Sequence, residues 1–111
     1  MQLFDFEDLN YELHDSEITK IILPPTEGQG KFSMTCVVSS DDWERPVLLK
    51  TYEFEANSAN LEDEVDESDL LGYAVVELRL DVFDKKIFFG TTLRSFQVNF
   101  VDIQISTKDH G

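Results

Sequence analysis

The stretch KFSMTCVVSS, Lys31 to Ser40, alternates side chains in a way that decides how the rest of the chain is read. Phe32, Met34, Cys36 and Val38 share one parity, while Lys31, Ser33, Thr35 and Val37 take the other. Successive side chains on a strand point to opposite faces, so this period of two predicts a strand with one face buried. Working outward, LGYAVVELRLDVF places Ala74, Val76, Leu78, Leu80 and Val82 on one face. Its other face carries Tyr73, Val75, Glu77, Arg79 and Asp81. EITKIIL and PVLLKTYEFEA are rich in β-branched and aromatic residues and read as strands. DKKIFFG adds a short strand, with Asp84-Lys85-Lys86 as the hairpin turn after Phe83. In the last run Phe96, Val98 and Phe100 share one parity, and Val101, Ile103 and Ile105 the other. Either both faces are buried there, or a β-bulge near Phe100–Asp102 resets the register, and the bulge is the preferred reading.

Turn residues separate these runs. Pro24-Pro25 with Gly28 and Gly30 breaks the chain after the first strand, and Asp41-Asp42 and Pro46 bracket a loop carrying Trp43. Residues 57–69 leave helix and ordered loop both open. Ser58 could cap a helix, Leu61 and Val65 are four apart, and Gly72 could end it. Against this, acidic residues continue to the end of the segment, where they oppose the helix dipole. Six or seven short strands with regular turns predict an all-β, mainly antiparallel fold: a single domain over residues 1–111, a sandwich or half-barrel, with at most one or two short helices.

The charge is lopsided. Nine basic and 23 acidic residues give a net charge of -14 over 111 residues. Such a chain repels nucleic acid and anionic membrane surfaces and attracts basic partners. Cys36 is the single cysteine, which excludes an intrachain disulfide and fits a reducing compartment. MQLFDFEDLNYE has neither the basic nor the apolar region of a secretion signal, and no apolar run approaches the ~20 residues of a membrane-spanning helix. The expected location is the cytoplasm.

Candidate chemistry is sparse. His14-Asp15 could act as a base or metal ligand, but the other histidine, His110, lies near the chain's end, and a structural role is the better reading. Cys36 sits mid-strand on the apolar parity, where a free cysteine packs as a small hydrophobe. FGTTLRS lacks the spacing of a phosphate loop, and no Cys/His cluster has metal-ligand spacing. DEVDESD offers hard oxygen ligands for calcium but lacks the glycine-bearing loop pattern. The expectation is a chain that is not an enzyme, with no cofactor, metal or catalytic residue.

What remains is NLEDEVDESDLL, Asn60 to Leu71, in which six of the eight residues from Glu62 to Asp69 are carboxylates. A solvated loop would account for it. A docking surface for a basic protein would also account for the aromatic residues nearby, because aromatics anchor interfaces and charges steer them. The predicted contacts are Glu62, Asp63, Glu64, Asp66, Glu67 and Asp69, supported by Asp41, Asp42 and Glu44, with Trp43 and Tyr52 as aromatic anchors.

YELHDSEITKIIL, through Leu13, His14, Asp15, Ser16, Ile18 and Ile21, resembles the opening of small bacterial proteins with a Leu-His-Asp-Ser motif leading into an apolar strand. Several of these resemble immunity proteins of polymorphic-toxin and contact-dependent growth inhibition systems. The resemblance implies a cytosolic antidote that binds one cognate toxin domain one-to-one. The expected partner is a basic nuclease, with an RNase of RNase-A-like fold as the favoured form, whose cleft an acidic surface could cover. An acidic adaptor unconnected with toxins is the alternative.

Overall fold

The computed structural model describes residues 13–40, 44, 45 and 47–110, and these form an antiparallel all-β fold. The strands are β1 (Ser16–Ile22), β2 (Gly30–Ser39), β3 (Leu48–Leu61), β4 (Ala74–Asp81), β5 (Lys86–Thr91), β6 (Ser95–Phe100) and β7 (Gln104–Asp109). Their order in the sheet is β2-β1-β4-β5-β6-β3-β7, and β2 also pairs with β3. That extra pairing joins β1 to β6 in a ring, so the sheet curls round one core. The seven strands match the all-β expectation, and the one helical element lying wholly among the described residues is a 3₁₀ turn, Glu67–Asp69.

The alternation in β2 is realised as predicted. Phe32, Met34 and Cys36 are fully buried, and Val38 packs at the margin of the core. Phe89 on β5 is the centre of the aromatic packing. Its ring lies 5.3 Å from Phe54, edge-on at 83°, 5.1 Å from Phe96 in a stacked arrangement, and 6.2 Å from Phe32. These residues come from β2, β3, β5 and β6, so one side chain ties four strands together.

Where the sequence reading and the structure differ, bulges are the cause. In β4 the register shifts between Val75 and Glu77, so Val75 is buried and Val76 exposed, the reverse of the simple alternation. In β1 a shift between Ile18 and Lys20 lets Ile18 and Ile21, three apart, both face inward. The predicted irregularity near Phe100–Asp102 is realised as the break between β6 and β7, and the extra residue itself lies across the ladder, on β3. Phe32 pairs with Ala56 and Gly30 with Ala59, which leaves Asn57 and Ser58 opposite Lys31 alone. Inward parity on β3 therefore changes from Tyr52, Phe54 and Ala56 to Ala59 and Leu61. Strands β6 and β7 follow it with the same offset of Cα partners, Ala59 with Phe100 and Glu55 with Gln104, on either side of a break at residues 101–103 where the residues bonded to β3 change parity. The parity switch at Phe100–Val101 is the echo of the bulge on its neighbour.

The helix considered for residues 57–69 does not form, because β3 runs on to Leu61 and spends the backbone groups of Ser58 on sheet pairing. The predicted turn at Asp84-Lys85-Lys86 is realised over residues 82–85, beginning two residues earlier and ending one earlier, with Lys85 in the left-handed region at φ 54°. The Asp84 N–H donates to Asp81 Oδ1 at 3.0 Å within it.

Phe89→Ala should be the most damaging single truncation, lowering stability by about 3–5 kcal/mol. Urea denaturation of the two proteins measures this, and a loss comparable with that of a surface substitution would contradict the central role of Phe89.

Candidate functional site

The acidic segment leaves the C-terminal end of β3 and is held down at both sides. Leu61, Val65 and Leu70 are buried, so the chain between them is pinned to the core by apolar contacts. The carboxylates in between point outward: Glu62, Asp63, Glu64, Asp66 and Glu67 are exposed and Asp69 is half-buried. Of the two alternatives for the segment, the ordered loop is the one realised, with a single 3₁₀ turn in it. It is an anchored turn that displays charge.

Its members divide by what they touch. Asp66 caps the 3₁₀ turn: its Oδ1 accepts from the Ser68 N–H at 3.0 Å and from Ser68 Oγ at 2.9 Å. Those bonds favour the charged form and lower the Asp66 pKa from its ordinary value of 3.8. Glu62 Oε2 accepts from Asn99 Nδ2 at 2.8 Å, tying the segment to β6. Asp69 Oδ2 pairs with Arg94 Nη1 at 3.1 Å. With both partners substantially solvated this pair adds little to stability, but it neutralises one carboxylate of the run. Asp63, Glu64 and Glu67 have no side-chain partner among the described residues. Glu64, Asp66 and Glu67, with Leu23, Val65 and Arg94, line a shallow groove of about 480 Å³.

The other predicted contacts fare differently. Tyr52 is fully buried, on the inward parity of β3, and cannot serve as a surface anchor. Its alternation partners Glu53 and Glu55 take the outward positions instead. Glu44 is exposed, but it lies in the β2–β3 connection, beyond the N-terminal end of β3. The acidic segment leaves the opposite end of that 14-residue strand, so roughly 40 Å of strand separates the two. They do not form one patch. Asp41, Asp42 and Trp43 lie outside the described residues. Sequence reasoning missed Phe83, which stands 99% exposed at the β4–β5 turn beside Val82. The signal was present: Phe83 directly precedes Asp84-Lys85, a turn pair, where a side chain leaves the alternation of β4.

The opening motif has a structural explanation. Leu13 and Ser16 are buried, His14 and Asp15 exposed, and Asp15 adopts φ 68°, which turns the chain into β1. The Asp15 N–H donates to Val75 O at 2.8 Å, and His14 Nδ1 lies 3.2 Å from Asp15 Oδ2. Ser16 Oγ is buried beside the Cys36 thiol and, among the described residues, makes no hydrogen bond of full geometry. Cys36 is sealed in the core, where burial pushes its thiol up to about 12, the nearby Ser16 hydroxyl only partly offsetting it. Such a thiol stays protonated and poorly nucleophilic. Among the described residues no group of three or more His, Cys, Asp and Glu side chains is placed to hold a metal ion, and no helix is long and apolar enough to cross a membrane.

Comparison with protein-family models, curated proteins and solved structures finds no match to this chain.

The Asp66 cap gives a pH-dependent expectation. A carboxyl whose folded pKa is depressed stabilises the fold above its unfolded value and loses that contribution as pH falls through the folded one. Asp66→Ala should melt slightly lower than the parent above about pH 4, and the two melting curves should converge in more acidic buffer. A gap that persists at the lowest pH would show that the cap does not depend on the charge of Asp66.

Proposed function

We propose that this chain is a non-enzymatic binding protein whose pinned acidic segment captures a basic protein domain, in the manner of an immunity antidote covering a toxin. The observation that carries the reading is the burial of Leu61, Val65 and Leu70, which bracket outward-facing Glu64, Asp66 and Glu67. A charge run kept only for solubility has no need of apolar pins. Pinned carboxylates lose less conformational freedom on binding than those of a loose tail, so more of each contact is kept as affinity.

The partner class follows from the charge. A protein at -14 attracts cationic surfaces over long range, raising encounter rates well above those of neutral pairs. Nucleases are basic where they meet phosphate, and carboxylates can take the place of phosphates against their Lys and Arg side chains. Arg–carboxylate pairs are often bidentate, which adds geometric selection to attraction. Glu64 and Glu67 are the residues proposed to make these contacts first, since Asp66 is occupied as a cap and Asp69 by Arg94. The Leu-His-Asp-Ser opening adds the resemblance to immunity proteins.

The immobilised chain should retain one basic protein from its own cell lysate in a one-to-one complex, whereas several unrelated proteins would favour the adaptor alternative. With that partner, Glu64→Gln combined with Glu67→Gln should slow association about tenfold or more at low salt. The dissociation rate should change less, and the melting temperature should hold or rise as self-repulsion falls. Unchanged association kinetics would remove the segment from the interface.

A further inference from the structure

The β4–β5 turn exposes apolar side chains that the core does not use. Phe83 stands 99% exposed and Val82 58%. The turn beneath them is nonetheless held at defined points. Asp81 Oδ1 accepts from the Asp84 N–H at 3.0 Å, Lys85 takes the left-handed conformation, and Lys85 O accepts from the Phe100 N–H at 2.9 Å. A turn held this way has little conformational freedom left to lose on binding, and buried aromatics are frequent interface anchors. Lys85 and Lys86 follow the ring, both exposed and without a side-chain partner among the described residues. Residues 78–93 hold Arg79, Lys85 and Lys86 against Asp81 and Asp84, so this hairpin is net positive in a chain of -14.

The groove at the acidic segment has the complementary make-up. Leu23 and the buried Val65 give it an apolar floor, and the exposed Glu64, Asp66 and Glu67 give it a negative rim. Arg94 also lines it, but its charge is met by Asp69 at 3.1 Å, while Glu64 and Glu67 have no partner among the described residues. At about 480 Å³ the groove has room for a benzyl side chain. A chain's own turn does not reach its own groove. The turn adjoins the start of β5 at Lys86, and Arg94 adjoins the end, where the Thr91 N–H donates to Arg94 O at 3.0 Å. The six residues of β5 hold them roughly 20 Å apart.

We propose that the β4–β5 turn of one copy docks in the acidic groove of a second, with Phe83 against Leu23 and Val65, and Lys85 and Lys86 against Glu64 and Glu67. The contact joins two different surfaces and is therefore heterologous. A pair still has one free turn and one free groove, so association continues past the dimer. The ring supplies most of the affinity, and the solvated ion pairs supply orientation. Physiological salt screens repulsion between the acidic bodies beyond about 8 Å and weakens the direct contacts less. Such docking does not require capture of a basic partner, which would compete for the same carboxylates.

Sedimentation equilibrium of the full chain at physiological salt, from micromolar to millimolar concentration, should show a mass that rises past twice the 12.8 kDa monomer. Phe83→Ser should weaken the association about tenfold or more, with the melting temperature unchanged because the ring is outside the core. Lys85→Gln with Lys86→Gln, and Glu64→Gln with Glu67→Gln, should each weaken it several-fold. The decisive measurement mixes the Phe83→Ser chain, whose groove is intact, with the Glu64→Gln, Glu67→Gln chain, whose turn is intact. The mixture should form pairs with one copy of each and stop there. Three results overturn the proposal: a parent chain that stays monomeric at all concentrations, a Phe83→Ser chain that associates like the parent, or a mixture as monomeric as its separate members.

Discussion

Strand β3 has to serve three neighbours at once, and it can do so because its inward parity changes between Ala56 and Ala59. On one edge it pairs with β2 along nearly its whole length. On the other it meets β7 over Lys50–Glu55 and β6 over Ala59–Leu61. A strictly alternating 14-residue strand in a sheet this curved would have turned half of its apolar side chains to solvent. The extra residue at Asn57–Ser58 resets the faces, so Tyr52 and Phe54 reach the core at one end and Leu61 at the other. The ring of six strands, and the packing of Phe89 against Phe54, depend on that reset.

The same reset determines how charge is displayed. Because Leu61 is inward at the end of β3, the chain enters the acidic segment from an anchored point, and Val65 and Leu70 anchor it again. Three carboxylates are then committed locally: Glu62 to Asn99, Asp66 to Ser68 and Asp69 to Arg94. Asp63, Glu64 and Glu67 are left facing water. What composition gives as one undifferentiated run becomes, in three dimensions, a small set of structural acids framing a small set of available ones.

The period of two in Lys31–Ser40 was legible because β2 carries its alternation unbroken from Phe32 to Cys36. In β1 and β4 it was legible only in part, since Ile18/Ile21 and Val75/Leu78 reach the core through bulges that no residue type announces. The parity switch at Phe100–Val101 was read correctly as an irregularity, the break between β6 and β7, while the extra residue that accompanies it lies on β3. A bulge leaves its mark on the partner's sequence as well as its own, and one chain alone does not say which strand holds the extra residue. Of the site, the exposure of the acidic run followed from its composition. The burial of Tyr52 did not, because an aromatic between Thr51 and Glu53 fits an exposed anchor and a core residue equally well. The roughly 40 Å between Glu44 and the acidic segment was hidden for another reason: local patterning carries no information about how far a long strand holds two loops apart.

The central claim is that a pinned acidic turn, rather than the net charge of the whole molecule, grips a cationic partner. Hydrogen–deuterium exchange on the chain alone and in complex with the basic protein it retains tests this most directly. Slowed exchange concentrated over residues 62–71 and the adjoining Arg94 turn is the predicted result. Protection elsewhere, with those amides exchanging as fast in the complex as in the free chain, would contradict it.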